Sequence, residues 1–300
     1  MNYKDAFGYY HPIINFLYFL GVFGFTVFFI NPAVMFISFV CAVIYMGILI
    51  EDSYKFVFKF CVPLFLITAL INPAFNHKGG TILWYFPSGN PLTAESVFYG
   101  AVSGLLVISV LIWFKCFEEV IKSDKFVYIF GRFAPTLAVT VSMALKFIPI
   151  LLKEFKDSYS SQKMLYLNLN KPFKKVRAAF SSFSAVLSVS LENSLSTAKN
   201  MKAKGYGIKK RTSFTIFKFT KKDFYALIIL SFLIVYIFIG GVLGGFEFIF
   251  YPLIYYTLNA YNITLYIALF LLFVFPVLIN ILEIQRFNKI NGKTKVNHLN

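Results

Sequence analysis

Acidic side chains are scarce in this chain: 13 Asp and Glu among 300 residues, against 29 Lys and Arg. The long apolar runs hold almost none of them, so no intramembrane proton relay or cation site is expected, because either needs ionisable groups inside a span. Cysteine is limited to Cys41, Cys61 and Cys116, in or beside apolar segments. They form neither a paired framework nor a metal-ligand cluster and read as small buried hydrophobes. The histidines His11, His77 and His298 stand far apart and read as surface or interface residues; no His-Glu-x-x-His motif is present. No Gly-rich P-loop occurs, which excludes a recognisable nucleotide site. The spans show no clear inverted repeat of broken helices. No small-residue cleavage pattern follows the first apolar run, so a cleavable signal peptide is not expected. Asn262-Ile263-Thr264 fits a glycosylation sequon but reads as a coincidence beside a span.

What the chain has is apolar length. Hydrophobic residues make up 58% and aromatics 20%, above the roughly 45–50% apolar content of soluble domains. Delivered in runs near twenty residues, this excess predicts an all-α, polytopic membrane protein. Six spans are expected, at 13–30, 33–50, 60–74, 97–114, 224–245 and 261–282. Asn31-Pro32 marks a tight turn between the first two. Lys55 and Lys59 can extend the third span backward by snorkelling. Thr93 reads as the N-cap of the fourth, which carries a small-xxx-small spacing at Gly100 and Gly104. Trp84, Tyr85 and Phe86 in the loop 75–95 suit a membrane–water interface. Residues 115–134 read as a basic, aromatic connector. The fifth span ends in overlapping Gly-xxx-Gly spacings, Gly240 with Gly244 and Gly241 with Gly245. The apolar stretch 248–258 is short and reads as re-entrant or interfacial; if it crosses, the spans number seven and the C-terminal tail lies outside.

Charge sets the orientation. Residues 115–222 hold 21 Lys and Arg against 6 Asp and Glu, so +15 of the net +16 falls there. Nucleic acid could attract such a block, but spans flank it on both sides, and basic residues stay cytoplasmic in membrane proteins. The N-terminus and the basic block are therefore expected inside and the loop 75–95 outside. Three regions result: 1–114 with four spans, 115–222 as a basic cytoplasmic region, and 223–300 with the remaining spans and a basic tail.

Within the basic region two long helices are expected. The first runs from Thr136 to about Leu167, apolar up to Leu152 and polar after it, with a kink expected at Pro149. Asn168 to Pro172 breaks it. The second runs from Phe173 to Lys204 and carries a stripe of small residues, Ala178, Ser182, Ala185 and Ser188, that lets another helix approach closely. Gly205 and Gly207 stop it, and lysines gather in its last turn, where the helix dipole favours them. Its end, Ala203-Lys204-Gly205, has the form of a charged docking knob. A membrane protein with no motor and no ion-coupling site, but with a large basic helical hairpin in the cytoplasm, draws its energy from another subunit.

The residues here carry a family resemblance over nearly the whole chain. It resembles the transmembrane coupling (T) component of energy-coupling factor transporters, a class of ABC importers for vitamins and metal ions. His11-Pro12 looks like the family's start. Leu145-Lys146-Phe147-Ile148-Pro149 resembles its Arg-Phe-Ile-Pro segment, with Lys146 for arginine. Met201-Lys202-Ala203-Lys204-Gly205-Tyr206-Gly207, followed by Lys210-Arg211-Thr212, resembles its Met-Glu-Ala-Arg-Gly-Tyr-Gly run. The resemblance implies two Ala-Arg-Gly tips on a pair of coupling helices, each docking in a groove of one ATPase. The second tip falls on Ala203, Lys204 and Gly205. The first falls on Met164, Leu165 and Tyr166, which depart from the pattern, with Lys163 as a nearby charge. It further implies two cytoplasmic ATPase subunits that bind the ATP, one membrane-embedded substrate-capture subunit, and a bacterial plasma membrane. By the same resemblance, this chain itself is expected to need no cofactor, to contact no nucleic acid and not to be an enzyme. Ala178, Ser182, Ala185 and Ser188 are then packing positions between the coupling helices or contacts to the capture subunit. A self-sufficient secondary transporter or channel is the competing reading; it needs polar groups within the spans.

Overall fold

The computed structural model describes residues 5–85, 91–133, 135–165, 172–206, 217–252, 255–256 and 259–297. Helix makes up 81% of it, which establishes the all-α class. The chain divides into two compact units, one of residues 1–122 and 217–300 and the other of residues 123–216.

The first unit is built from apolar helices with strong local start signals. After a 3-10 turn at Phe7–Tyr9, helix α1 spans Pro12–Phe28 and α2 spans Pro32–Leu49. Each has proline at its first position, where no N–H is needed. His11 Nδ1 and Asn31 Oδ1 cap them by accepting from the N–H groups of Ile13 and Ala33. Helix α3 (Ser53–Phe56) passes through a π-helical turn at Val57–Cys61 into α4 (Val62–Phe75). The third span thus extends backward past Lys59, and Lys55 pairs with Asp52 at 2.8 Å at its charged start. Helix α5 runs from Ala94 to Val120, capped by Thr93, whose Oγ1 accepts from the Ser96 N–H. It is longer than the span expected from hydropathy because Lys115 and Glu118 pair at 2.8 Å on its exposed last turns. After the second unit, α9 spans Lys221–Val242 and α10 spans Ala260–Asn297. Five of these segments are long and apolar enough to cross a membrane: Pro32–Leu49, Ser53–Phe75, Ala94–Val120, Lys221–Val242 and Ala260–Gln285. Helix α1, at 17 residues, sits at the lower limit of span length, roughly 17–25 residues.

Trp113 on α5 is the centre of this unit. Its ring lies 5.9–6.5 Å from those of Tyr18 and Phe19 on α1, Tyr45 on α2 and Phe273 on α10. Its indole N–H donates to Ser38 Oγ at 3.0 Å, and Ser38 shares a hydrogen bond with Thr26. Polar groups buried among apolar helices pair in this way because neither lipid nor core offers water. Gly100 and Gly104 let α5 meet α4 closely. A Cβ on Gly100 would stand 2.6 Å from the Ala69 carbonyl oxygen, and one on Gly104 would stand 2.8 Å from the Phe65 ring. The weak small-xxx-small signal is therefore a real helix contact.

The described residues of the segment 248–258 do not form a short helix. Phe248–Ile249 (β3) pairs antiparallel with Tyr255–Tyr256 (β4). The loop 75–95 forms a similar pair, Ile82–Tyr85 (β1) with Pro91–Thr93 (β2). The loops join where the Gly80 N–H donates to the Pro252 carbonyl and Asn76 Nδ2 donates to the Tyr251 hydroxyl, both at 3.0 Å. Asn31 Nδ2, in the α1–α2 turn, donates to the Phe246 carbonyl at 3.3 Å and the Tyr266 hydroxyl at 2.9 Å. All three connections thus gather at one end of the unit, so β3–β4 turns back without crossing and α10 returns to the end where α1 begins. There the Phe7 N–H donates to Asn280 Oδ1 at 3.0 Å. The fifth span's glycines divide their work. Gly244 takes φ +81° and ends α9, whereas a Cβ on Gly240 or Gly245 would run into Leu265 of α10, and one on Gly241 into Phe29.

The second unit holds α6 (Ser123–Phe133), α7 (Pro135–Leu165) and α8 (Pro172–Ala203). The expected connector 115–134 is mostly helix: α5 occupies its first part and α6 most of the rest. Helices α7 and α8 match the two long helices expected, and α7 continues as one helix through Pro149.

Candidate functional site

The exposed end of α8 is a complete glycine cap. The N–H of Gly205 donates to the Lys202 carbonyl at 3.0 Å, and that of Tyr206 donates to the Met201 carbonyl at 2.9 Å. Gly205 has φ +83°. This paired bonding pattern around a left-handed residue is the Schellman motif. It leaves Lys204 as the last residue before the turn, its own N–H still bonded to the Asn200 carbonyl. Ala203 and Lys204 are exposed and Gly205 is half-buried. Lys199, Lys202 and Lys204 all stand at the surface, and none has an ion-pair partner among the described residues. Carbonyls at a helix end attract these cations, so the tip offers positive charge on a backbone shape fixed by hydrogen bonds.

The corresponding end of α7 is different. Helix α7 ends at Leu165 with Lys163 in its last turn. Lys163 is exposed, and Met164 is 80% exposed. Tyr166 lies outside the described residues, as do 207–216 with Lys210, Arg211 and Thr212.

The small-residue stripe on α8 splits in two. Ala178 and Ser182 are fully buried, and the Ser182 hydroxyl donates to the Ala178 carbonyl at 2.8 Å. Ala185 and Ser188 are exposed, so they are not packing positions among the described residues. The buried line continues instead through Val186, because four-residue steps from Ala178 hold one helix face. On α7 the half-buried residues Phe147, Leu151, Phe155, Ser158 and Gln162 follow the same rule. Gln162 Nε2 donates to Ser181 Oγ at 3.3 Å across the two helices.

Sequence reading overlooked two features of the site. The hydroxyls of Ser182, Ser188, Ser190, Ser194 and Thr197 on α8 each donate to the carbonyl four residues back. The helix therefore consumes much of its own hydrogen-bonding capacity. Beside it, large apolar side chains stand open, with Phe173 and Phe180 each more than 70% exposed and Phe183, Leu191 and Leu195 more than half. An apolar surface of this extent on a polar-ended helix marks an interaction face. The second feature is the start of α9. There Thr220 and Asp223 form a capping box, which the pattern Thr-Lys-Lys-Asp could have announced. The Asp223 carboxylate also reaches His11, at the other family-like motif. Lys146 is exposed within α7.

Among the described residues, no three His, Cys, Asp or Glu side chains gather to hold one metal ion.

An all-α bundle with several membrane-spanning helices, joined to a basic helical pair with an exposed, capped tip, defines a membrane component of a transport system. The family model for cobalt transport protein, CbiQ, matches residues 11–214, from His11 through both long helices and past the α8 tip. The chain belongs to this family, the T component of energy-coupling factor transporters. No curated protein matches the chain.

Proposed function

We propose that this chain is the coupling subunit of a cobalt importer in a bacterial plasma membrane. It passes ATP-driven motion from two cytoplasmic ATPases to a separate membrane subunit that captures the substrate. The observation that supports this reading is the tip at Ala203–Gly205, where a glycine cap fixes the backbone and the charge of Lys204 stands exposed, with no ion-pair partner among the described residues. A preformed knob loses little conformational freedom on docking. In the mechanism that follows, ATP binding draws the two ATPases together and each carries one helix end with it: Lys204 and its neighbours on α8, and Lys163 with Met164 to Tyr166 on α7. Helices α7 and α8 then move relative to the membrane. Their open apolar face, with Ala185 and Ser188 at its small positions, bears on the capture subunit, which releases the metal ion inward. The ATPases hold the nucleotide, and this chain contributes shape and charge.

The test is the Lys204→Glu variant, purified from its native membrane through a tag on this chain. The wild type is expected to bring the ATPase subunits with it and the variant to lose them, since a like-charge contact in a docked interface costs several kcal/mol. Recovery of the wild-type chain without ATPases, or unchanged assembly and uptake in the variant, refutes the reading.

A further inference from the structure

The two hairpins at one end of the first unit carry apolar side chains that the bundle leaves open. In β1, Ile82, Leu83, Trp84 and Tyr85 are 49–70% exposed. Successive strand residues face opposite sides, so the described residues cover neither face of this strand. In the second hairpin Ile249, Tyr255 and Tyr256 are at least half exposed. Both hairpins lead into spans whose first turns are open and apolar as well, at Val97 and Phe98 on α5 and at Tyr261 and Ile263 on α10. From 79 to 114 the only charged side chain is Glu95, and it is buried; from 248 to 282 there is none. The lipid-facing surface of α5 and α10 therefore runs onto the hairpins without a charged break.

Backbone chemistry sets how deep these hairpins can lie. A two-stranded sheet has an unpaired edge on each strand, and hydrocarbon does not tolerate such edges. Open apolar faces are equally unsuited to bulk water. The headgroup layer satisfies both, and tryptophan and tyrosine rings concentrate there.

The hairpins are also clamped to the bundle. Glu95, in the first turn of α5, is 3% exposed. Its Oε1 accepts from the Thr81 N–H at 3.2 Å and the Thr81 hydroxyl at 2.7 Å, across 14 residues. Thr93 already caps α5, so these bonds are additional to the helix cap and serve the entry of β1. The Thr93 hydroxyl donates to the Lys78 carbonyl at 2.8 Å. Between them Gly79 takes φ +146°, where a Cβ would stand 2.5 Å from the Glu95 carboxylate. The second hairpin is tied to the first by the Gly80–Pro252 and Asn76–Tyr251 bonds. It is seated on α5 by Phe250, whose ring meets Tyr99 edge-on at 5.0 Å.

We propose that the two hairpins form one platform that binds the headgroup layer of the leaflet at this end, with Glu95 as the positioning residue that sets its depth. The platform holds the α4–α5 and α9–α10 connections at one level of the bilayer. It stands apart from the coupling role and does not depend on it. Charge-assisted hydrogen bonds suit the clamp, because they are shorter and roughly twice as strong as neutral ones.

The chain carries its own depth probe, since it has 2 tryptophans. Trp113→Phe leaves Trp84 alone, and Trp84→Phe leaves the buried Trp113 as a shielded control. Each full-length variant is reconstituted in phosphatidylcholine vesicles. Its fluorescence is quenched by iodide on both sides of the membrane, by lipid spin-labelled at the headgroup, and by lipid brominated near the chain ends. Trp84 is expected to resist iodide and to be quenched roughly twofold more by the headgroup label than by the bromines, as for a ring at headgroup level. Full access to iodide without lipid quenching, or stronger quenching by the chain-end bromines, overturns the platform. Shielding from all three quenchers assigns the surface to a protein contact and overturns it as well. The clamp is tested in the same Trp113→Phe background, with helicity and thermal stability measured alongside. Glu95→Gln, which keeps size and removes charge, and Thr81→Val, which removes the hydroxyl, are expected to keep their helicity. Both should move the iodide quenching of Trp84 toward that of tryptophan in water and lower its quenching by the headgroup label. Thr81→Ser, which retains the hydroxyl, is expected to keep the original depth. Lower stability with unchanged quenching in Glu95→Gln and Thr81→Val makes Glu95 only a structural contact of the α5 start and refutes its positioning role. If Glu95→Gln does not fold, Thr81→Val decides.

Discussion

Replacing Gly205 tests whether the shape of the α8 tip matters separately from its charge. At φ +83° an L-residue brings its Cβ against the neighbouring carbonyl, which costs roughly 1–2 kcal/mol. The alternative is to abandon the cap. That releases the bonds from Gly205 to Lys202 and from Tyr206 to Met201, each with a net contribution of about 0.5–1.5 kcal/mol. The two routes cost about the same, so alanine is expected to disfavour the docking shape by about 1–2 kcal/mol, or a factor of about 5–30 in affinity for the ATPase. Valine, branched at Cβ, should lose more. Asparagine tolerates the left-handed region and often ends helices there, so it should lose least. The order is therefore Gly, Asn, Ala, Val. The assay is equilibrium binding of the purified ATPase to each variant in nanodiscs, with helicity and thermal stability as controls. A flat series, or asparagine as damaging as valine, would falsify the claim that a left-handed cap presents the tip.

Other substitutions probe the bundle. Gly104→Leu should force α4 away from α5, with an overpacking cost of about 1–3 kcal/mol seen as a lower midpoint in thermal or detergent unfolding. Trp113→Phe should lose the bond to Ser38, about 0.6 and at most about 1.7 kcal/mol within a membrane bundle, together with some packing; Ser38→Ala should lose that bond and the one shared with Thr26. Glu283→Gln should change stability by less than about 1 kcal/mol, because the Lys222–Glu283 pair is partly exposed and such pairs contribute little; a larger loss in the same unfolding assay would show that this contact is more than a surface pair.

Span positions were legible in the sequence because hydropathy over about twenty residues is a strong signal and lipid permits few backbone solutions. The two long helices and the α8 tip were legible for a different reason, since glycine and lysine at a helix end report backbone shape and dipole directly. What stayed hidden depends on partners distant in sequence. The stretch 248–258 is as apolar as a span, and only its pairing of Phe248 with Tyr256 makes it a hairpin. Residues 115–134 are too charged to read as membrane helix, yet Lys115 with Glu118, and Glu119 with Lys122, support helix at its exposed end. The stripe on α8 was read as one line through Ala185 and Ser188. Small size permits close packing but does not choose a face, and four-residue steps from Ala178 lead to Val186. His11-Pro12 was visible as a motif but not as a contact, because nothing local to it names Asp223.

The unequal ends of α7 and α8 follow from the same chemistry. An Ala-Arg-Gly tip combines a residue that continues the helix, a cation and a residue that turns the chain. Ala203-Lys204-Gly205 keeps all three roles, with lysine a compact point charge in place of a planar fork. Met164-Leu165-Tyr166 keeps only the first, since Met164 and Leu165 continue α7; the sequence has no cation and no glycine there, and the nearest cation, Lys163, comes before the last residues of the helix. In the proposed docking, an ATPase groove on α8 would meet a fixed backbone and a charge, and one on α7 would meet the flexible, apolar Met164. Charge reversal should therefore weaken assembly more at Lys204 than at Lys163, and Met164→Glu should exceed Lys163→Glu, as measured by ATPase recovered per mole of tagged chain. Equal losses at Lys163 and Lys204 would mean that both ends dock by charge, and that the departure from the family pattern at 164–166 has no mechanical consequence.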